Sequence, residues 1–208
     1  MAAGLLVVLS GPSGVGKGTV CERLRLYRPS LQLSLSMTTR PPRPGELAGR
    51  NYDFTTPARF KELISRDAFL EWAVVYGHYY GTPREAVEKN LALGRELLLE
   101  IDVQGALQVR RRMAEAVLIF LAPPSMEALC ERITGRATEE AVRIKRRLQA
   151  AQQEMAAYHH YDYLVVNDQV EKAAASINAI IEAEKCRISR GVKPPGWGGE
   201  KKGDLSFD

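Results

Sequence analysis

Residues Gly11–Lys17 read GPSGVGK, a match to G-x-x-x-x-G-K. An apolar run, Leu5–Leu9, precedes it and a helical pattern, Lys17–Tyr27, follows. That context is what a phosphate-binding loop needs. Its glycines let successive N–H groups turn inward, and the helix N-terminus adds partial positive charge. Lys17 is placed to reach the outer phosphates, with Gly11, Pro12, Ser13, Gly14, Val15 and Gly16 forming the cradle. Gly18 departs from the Ser or Thr usual at that position, and Thr19 follows one place later. One residue on is about 100° around a helix, so Thr19 does not inherit the metal position and is expected to touch an inner phosphate. A magnesium ion tolerates this, since it keeps several waters and is held largely by phosphates. The expectation is a metal with few or no direct protein ligands.

A second feature is ELLLEID, which places Glu100 and Asp102 at the end of an apolar strand pattern. Acids at the C-terminal edge of a parallel strand face the ligand crevice. Alternation puts the two on one face, where they can order metal-bound water or meet a substrate donor. Third, SMTTRPPRPGELAGRNYDF sets Arg40 and Arg43 in a proline-stiffened loop between Ser36 and Tyr52. Two guanidinium forks suit a phosphate dianion, although a solvated basic loop has the same composition. Glu71 in FLEWA lies between apolar and aromatic neighbours and requires a partner, with Tyr80 and Thr82 following in HYYGT.

These residues need a scaffold. The chain has 208 residues, 45% of them hydrophobic, enough for one sizeable core with a small appended part. A net charge of +4 suits a binder of small anions and does not by itself argue for nucleic acid. Cys21, Cys130 and Cys186 are far apart without CxxC spacing, which argues against disulfides or zinc and for a reducing cytoplasm. No apolar run approaches the ~18 residues that span a bilayer, so neither a membrane nor a nucleic-acid partner is expected. Further strand patterns fall at Leu97–Ile101, Val117–Leu121 and Tyr163–Val166. Helical patterns fall at Arg84–Leu93, Gly105–Met113, Ser125–Ile133, Glu139–Tyr158 and Val170–Ile188. Such alternation predicts an α/β fold, a doubly wound parallel sheet covered on both faces. Residues 38–82, rich in Pro, Arg and aromatics around one helix at Pro57–Ser65, read as an inserted mixed β subdomain. The polar ERITGRATEE reads as a flap, and the Gly, Pro and Lys-rich C-terminal stretch as a disordered tail.

In this order, SGPSGVGKGT, SMTTRPPRPGE, NYDF, FLEWA, YYGT, EIDVQG, APPS, the GR at 135–136 and YDYLVVND resemble the guanylate kinases, bacterial type, from about Leu5 to Ile188. The resemblance implies a P-loop nucleoside-monophosphate kinase that moves the γ-phosphate of ATP to GMP with Mg2+. It implies a core over 1–37, 83–130 and 148–188, a GMP-binding subdomain over 38–82, a helical lid over 131–147 and a tail at 189–208. It suggests Ser36, Arg40, Arg43, Tyr52 and Tyr80 for the GMP phosphate, and Glu71, Thr82 and Asp102 for guanine. On the ATP side it adds Arg132 and Asn167 to the loop residues 11–19, and it puts Arg136 and Arg147 with Lys17 and Arg40 among the catalytic groups. Glu100 and Asp102 would meet the metal through water only. Ala137 in place of a common Gly, and the absence of a typical acidic pair near 141–142, depart from the family form.

The implied chemistry needs no general base, because the second ionisation of a phosphate monoester lies near pH 6. His78, His159 and His160 are accordingly read as structural or exposed, and Arg143, Lys145 and Arg146 as a solvated helix face. The alternatives are another P-loop monophosphate kinase, disfavoured by the Arg40/Arg43 loop and Glu71, and a non-catalytic phosphopeptide-binding module, disfavoured by the intact loop. Whether dGMP replaces GMP, and whether the chain is a monomer or a homo-oligomer, stay open.

Overall fold

Residues 5–10 (LLVVLS) form a strand buried along its whole length, β1 (Leu5–Ser10), and its alternation organises the molecule. Leu5, Val7 and Leu9 enter one hydrophobic cluster, while Leu6 and Val8 enter another on the opposite face of the sheet. A strand apolar on both faces belongs in the middle of a covered parallel sheet. The computed structural model describes residues 4–134 and 141–191.

The remaining elements follow as α1 (Lys17–Tyr27), β2 (Gln32–Leu33), β3 (Met37–Thr38), β4 (Asp53–Phe54), α2 (Pro57–Ser65), β5 (Phe69–Val75), β6 (His78–Pro83) and α3 (Arg84–Ala92). After them come β7 (Glu96–Glu100), α4 (Val103–Arg112), β8 (Val117–Ala122), α5 (Met126–Thr134), α6 (Ala141–Met155), β9 (Tyr163–Val166) and α7 (Val170–Lys185). Short 3-10 turns cover Ala156–His160 and Ile188–Arg190.

The first sheet has the order β2-β7-β1-β8-β9 and is parallel throughout. Val20, Cys21 and Leu24 of α1 and Ala174, Ile177 and Ile181 of α7 fill one face. Val87 of α3 and Ala106 and Val109 of α4 fill the other. The second sheet, β4-β3-β6-β5, is mixed: β3 pairs in parallel with β4 and antiparallel with β6. The β5–β6 hairpin turns at Tyr76 and Gly77, both at positive φ, the backbone sign that tight hairpin turns demand. Stacked Phe60, Phe69 and Tyr79 close the core under this second sheet. Among the described residues no helix is long and apolar enough to cross a membrane.

The structure adds one strand and corrects two sequence expectations. β2 is not among the predicted strands, because two exposed residues leave no periodic signal; Gln32 and Leu33 pair with Leu97 and Leu98. α4 starts at Val103 rather than Gly105, since Asp102 caps it by accepting the Gly105 N–H at 2.8 Å. Arg190, counted with the tail, is instead tied by Nη2 to Glu184 Oε2 at 2.9 Å and by Nη1 to the Glu115 carbonyl at 3.0 Å. Residues 192–208 of that tail lie outside the described residues.

Candidate active site

The phosphate loop connects β1 to α1 at the C-terminal edge of the parallel sheet. Gly14 sits at φ 89°, and a Cβ there would come within 2.7 Å of Ile133 Cγ1, so both conformation and space demand glycine. Asn167, buried at the end of β9, donates from Nδ2 to the Val15 carbonyl at 2.7 Å. Arg132 donates to the same carbonyl at 3.3 Å and to the Asn167 carbonyl at 2.9 Å. These two side chains, expected on the ATP side, therefore brace the loop from behind. Thr19 and Gly18 are exposed at the start of α1.

Lys17 folds over its own loop, donating to the carbonyls of Gly11 at 2.7 Å and Pro12 at 3.2 Å. Burial lowers its pKa, and Glu100, Glu154 and Asp102 push it back up. Glu100 and Asp102 are each raised above the ordinary carboxyl value by burial, with Lys17 opposing. Glu100 approaches Gly18 so closely that a Cβ there would lie 3.5 Å from Oε1. The loop, Glu100, Asp102, Glu154 and the β5–β6 turn line one cleft of about 420 Å3. One ammonium faces three carboxylates in it, so a polyphosphate is better received with a divalent cation than alone. Among the described residues no group of three or more His, Cys, Asp or Glu is arranged to hold a metal. A cation carried by phosphate oxygens, with Glu100 and Asp102 reached through water, fits this donor set.

The second sheet organises the other half. Arg40 donates from Nε to Tyr80 Oη at 3.1 Å, and its guanidinium lies 5.4 Å from the Tyr52 ring centroid. The Tyr52 and Tyr80 rings meet edge-on at 5.9 Å. Buried Thr38 fixes the turn into this loop, accepting the Arg40 N–H at 3.2 Å and donating to the Tyr79 carbonyl at 2.9 Å. Ser36 precedes β3, partly exposed, whereas Arg43 is exposed and meets the cluster through its main chain, donating to Glu46 at 2.7 Å.

Glu71 is almost wholly buried on β5, opposite Thr82 of β6, whose hydroxyl donates to Oε1 at 2.5 Å. Burial raises its pKa to about 7; the Thr82 bond opposes this and the Asp102 charge adds to it. A buried carboxylate with one remaining edge can accept two adjacent N–H donors.

Arg147 of α6 reaches the loop, donating from Nη2 to Ser13 Oγ at 3.3 Å. Arg136 lies outside the described residues, as do the side chains of Arg143, Lys145 and Arg146. Sequence reasoning missed two acids. Glu46 accepts from Arg40 Nη2 at 2.9 Å, and the guanidinium holds its carboxyl below the ordinary value. Glu154 accepts the Ser13 N–H at 3.1 Å. The available signals were weak: Glu46 stands three residues beyond Arg43, and Glu154 two helical turns beyond Arg147.

The chain matches the family model described as Guanylate kinase over residues 4–184. It is 53% identical over 187 residues to the guanylate kinase of Caldanaerobacter subterraneus subsp. tengcongensis, covering 90% of this chain and 91% of that one. Against the guanylate kinase of Desulfitobacterium hafniense the identity is 49% over 187 residues, covering 90% and 94%. The crystal structure of guanylate kinase from Anaplasma phagocytophilum superposes with a TM-score of 0.74 at 35% identity, covering 91% of this chain and 90% of that one. With an intact phosphate loop on the first sheet, a buried carboxylate–hydroxyl pair on the second, and relatives alike over nine-tenths of both chains, this chain belongs to the guanylate kinase family.

Proposed function

We propose that the chain is an ATP:GMP phosphotransferase in which the loop at 11–19 receives ATP and the second sheet receives GMP. The observation that carries the acceptor's identity is Glu71, a buried carboxylate hydrogen-bonded to Thr82. Guanine offers adjacent N1–H and N2–H donors to one carboxylate, and its O6 would accept the Thr82 proton once that hydroxyl turns from Glu71. Adenine presents an acceptor at N1 and would leave the carboxylate unpaired. Sites built on such bonds discriminate by roughly 10⁴-fold. Arg40, Tyr52 and Tyr80, already joined to one another, would hold the GMP phosphate, with Ser36 and Arg43 closing on it. Glu46 occupies Arg40 without GMP and would yield part of that guanidinium to the phosphate.

The reaction then reduces to placing two anions in line. The acceptor oxygen is already largely ionised at neutral pH, so the chain has no proton to remove. Lys17, Arg40 and Arg147 neutralise the charge that spreads over the transferred group, and Arg136 is proposed to join them. Magnesium entering with ATP would neutralise phosphate charge, with Glu100 and Asp102 orienting its water shell. Closure of the two lobes would exclude water as a competing acceptor. We place the enzyme in the cytoplasm.

A coupled assay of ADP release with GMP, dGMP, AMP, CMP and UMP in turn tests this reading. Turnover with GMP at least 10³-fold more efficient than with AMP is expected. Comparable use of AMP would overturn the assignment of Glu71.

The helix that follows Asp102 sets the room for Glu71. A Cβ on Gly105 would fall inside van der Waals contact of Glu71 Oε2 and 3.2 Å from Asp102 Oδ1. Gly105→Ala is therefore expected to raise the KM for GMP about tenfold or more, because roughly 1.4 kcal/mol of misplacement has that effect. The KM for ATP should change less than threefold, as read from initial-rate kinetics with each substrate varied.

A further inference from the structure

Among the described residues Glu154 is the one carboxylate that bonds a main-chain amide of the phosphate loop, accepting the Ser13 N–H at 3.1 Å. It comes from α6, whose Arg147, seven residues earlier on the same face, donates to the Ser13 hydroxyl at 3.3 Å. One helix thus holds one loop residue by two opposite charges. The helix is anchored beneath them: Ala151 is buried against Leu129 and Ile133 of α5, with Leu148 beside it.

We propose that Glu154 is a resident anion of the phosphate loop, holding the Ser13 amide when no nucleotide is bound and giving it up to an incoming polyphosphate. The proposal rests on the reading of the loop as the ATP site. Inward-turned amides of such a loop are built for phosphate oxygens, and a carboxylate seated on one of them occupies the same kind of site. It also places a negative charge in the cleft already containing Glu100 and Asp102. A polyphosphate entering that cleft meets like charge, and this repulsion opposes the bond between Glu154 and Ser13. Release of Glu154 removes one of the two ties between α6 and Ser13 and leaves Arg147 tied to the same residue. Occupancy of the loop is thereby coupled to the helix that carries a phosphate-neutralising arginine. Glu154 is a positioning residue here, since it acts on the nucleotide through Ser13 and α6.

The sign of one binding measurement decides the matter. In Glu154→Gln the carboxamide oxygen still accepts the Ser13 N–H, so loop shape is kept while the charge is lost. Calorimetric titration without GMP should show ATP binding tightened roughly five- to tenfold, ADP less and AMP least, following phosphate charge. Glu154→Ala should tighten ATP in the same direction. Hydrogen exchange over residues 147–155 should change on ATP binding in the wild type and change less in Glu154→Gln. Unchanged or weaker ATP binding by Glu154→Gln, or an equal gain for AMP and ATP, would show that the carboxylate merely shapes the loop and overturn the proposal alone. A wild-type chain that binds no ATP would overturn the reading of the loop together with it.

Discussion

Replacing Lys17 by Met should lower kcat on the order of 10³-fold or more while leaving GMP affinity within about twofold. Methionine keeps the length and apolar stem of the side chain, so the change is close to the removal of one charge. That ammonium bonds the loop's carbonyls at Gly11 and Pro12, whereas Arg132 bonds the loop only from behind, at Val15. It is also the counter-charge to Glu100, Asp102 and Glu154. Its loss acts twice. The transferred phosphoryl group loses a fixed donor aimed at developing charge, and one such donor is worth about 10²–10³-fold. Three carboxylates then face the polyphosphate without the ammonium that lies among them, which weakens ATP as well. Lys17→Arg should not restore the rate, because a planar fork cannot enter the turn that a point charge fills. Single-turnover kinetics, with GMP binding measured separately by calorimetry, checks both halves. Turnover within tenfold of wild type would remove the loop from the chemistry.

Where the sequence carried a physical period, it was a reliable guide to the fold. β1, β7, β8 and β9 are apolar runs flanked by turn residues, and α1, α2 and β9 occupy the spans that their patterns predict. The second sheet was legible as an inserted mixed β subdomain but not in its pairing, because β3 and β4 are two residues each and are defined by partners far away in sequence. β2 was illegible for the same reason.

The site divides along the same line. Loop residues fixed by local backbone demands, such as Gly14, were readable from spacing. Glu71 stood out because a lone acid among apolar strand residues has to find a partner, and Thr82 is that partner. Residues whose role depends on where a distant helix docks gave no such signal. Glu154 reaches Ser13 across 141 positions, and Arg132 and Asn167 brace Val15 across 117 and 152 positions. Gly18 stood out in the motif, but its neighbour Glu100 could be placed beside it only by the sheet order β7-β1.

Glu71→Gln should cut kcat/KM for GMP about 10³-fold with the KM for ATP changed less than threefold, and it should also remove a pH dependence. Gln can accept one guanine N–H through its oxygen, but its own NH2 then opposes the second, leaving two buried donors face to face. The loss therefore falls on the acceptor alone. The pH effect follows from burial, which raises the Glu71 carboxyl to about 7 in the free enzyme. Guanine's donors require the ionised form, so the apparent KM for GMP should rise as pH falls below 7, approaching tenfold per unit. The second ionisation of GMP itself lies near pH 6, so the contribution of Glu71 is the difference between wild type and Glu71→Gln. Stability should move the other way. A carboxyl whose folded pKa exceeds the unfolded value of 4.5 binds its proton more tightly in the native state. The wild type should gain stability as pH falls from above 7 toward 4.5, a gain absent from Glu71→Gln. Thermal melts and GMP titrations across that window should diverge in opposite directions for the wild type. Parallel trends in the wild type and Glu71→Gln would mean that Glu71 stays ionised throughout and that its burial does not govern the acceptor site.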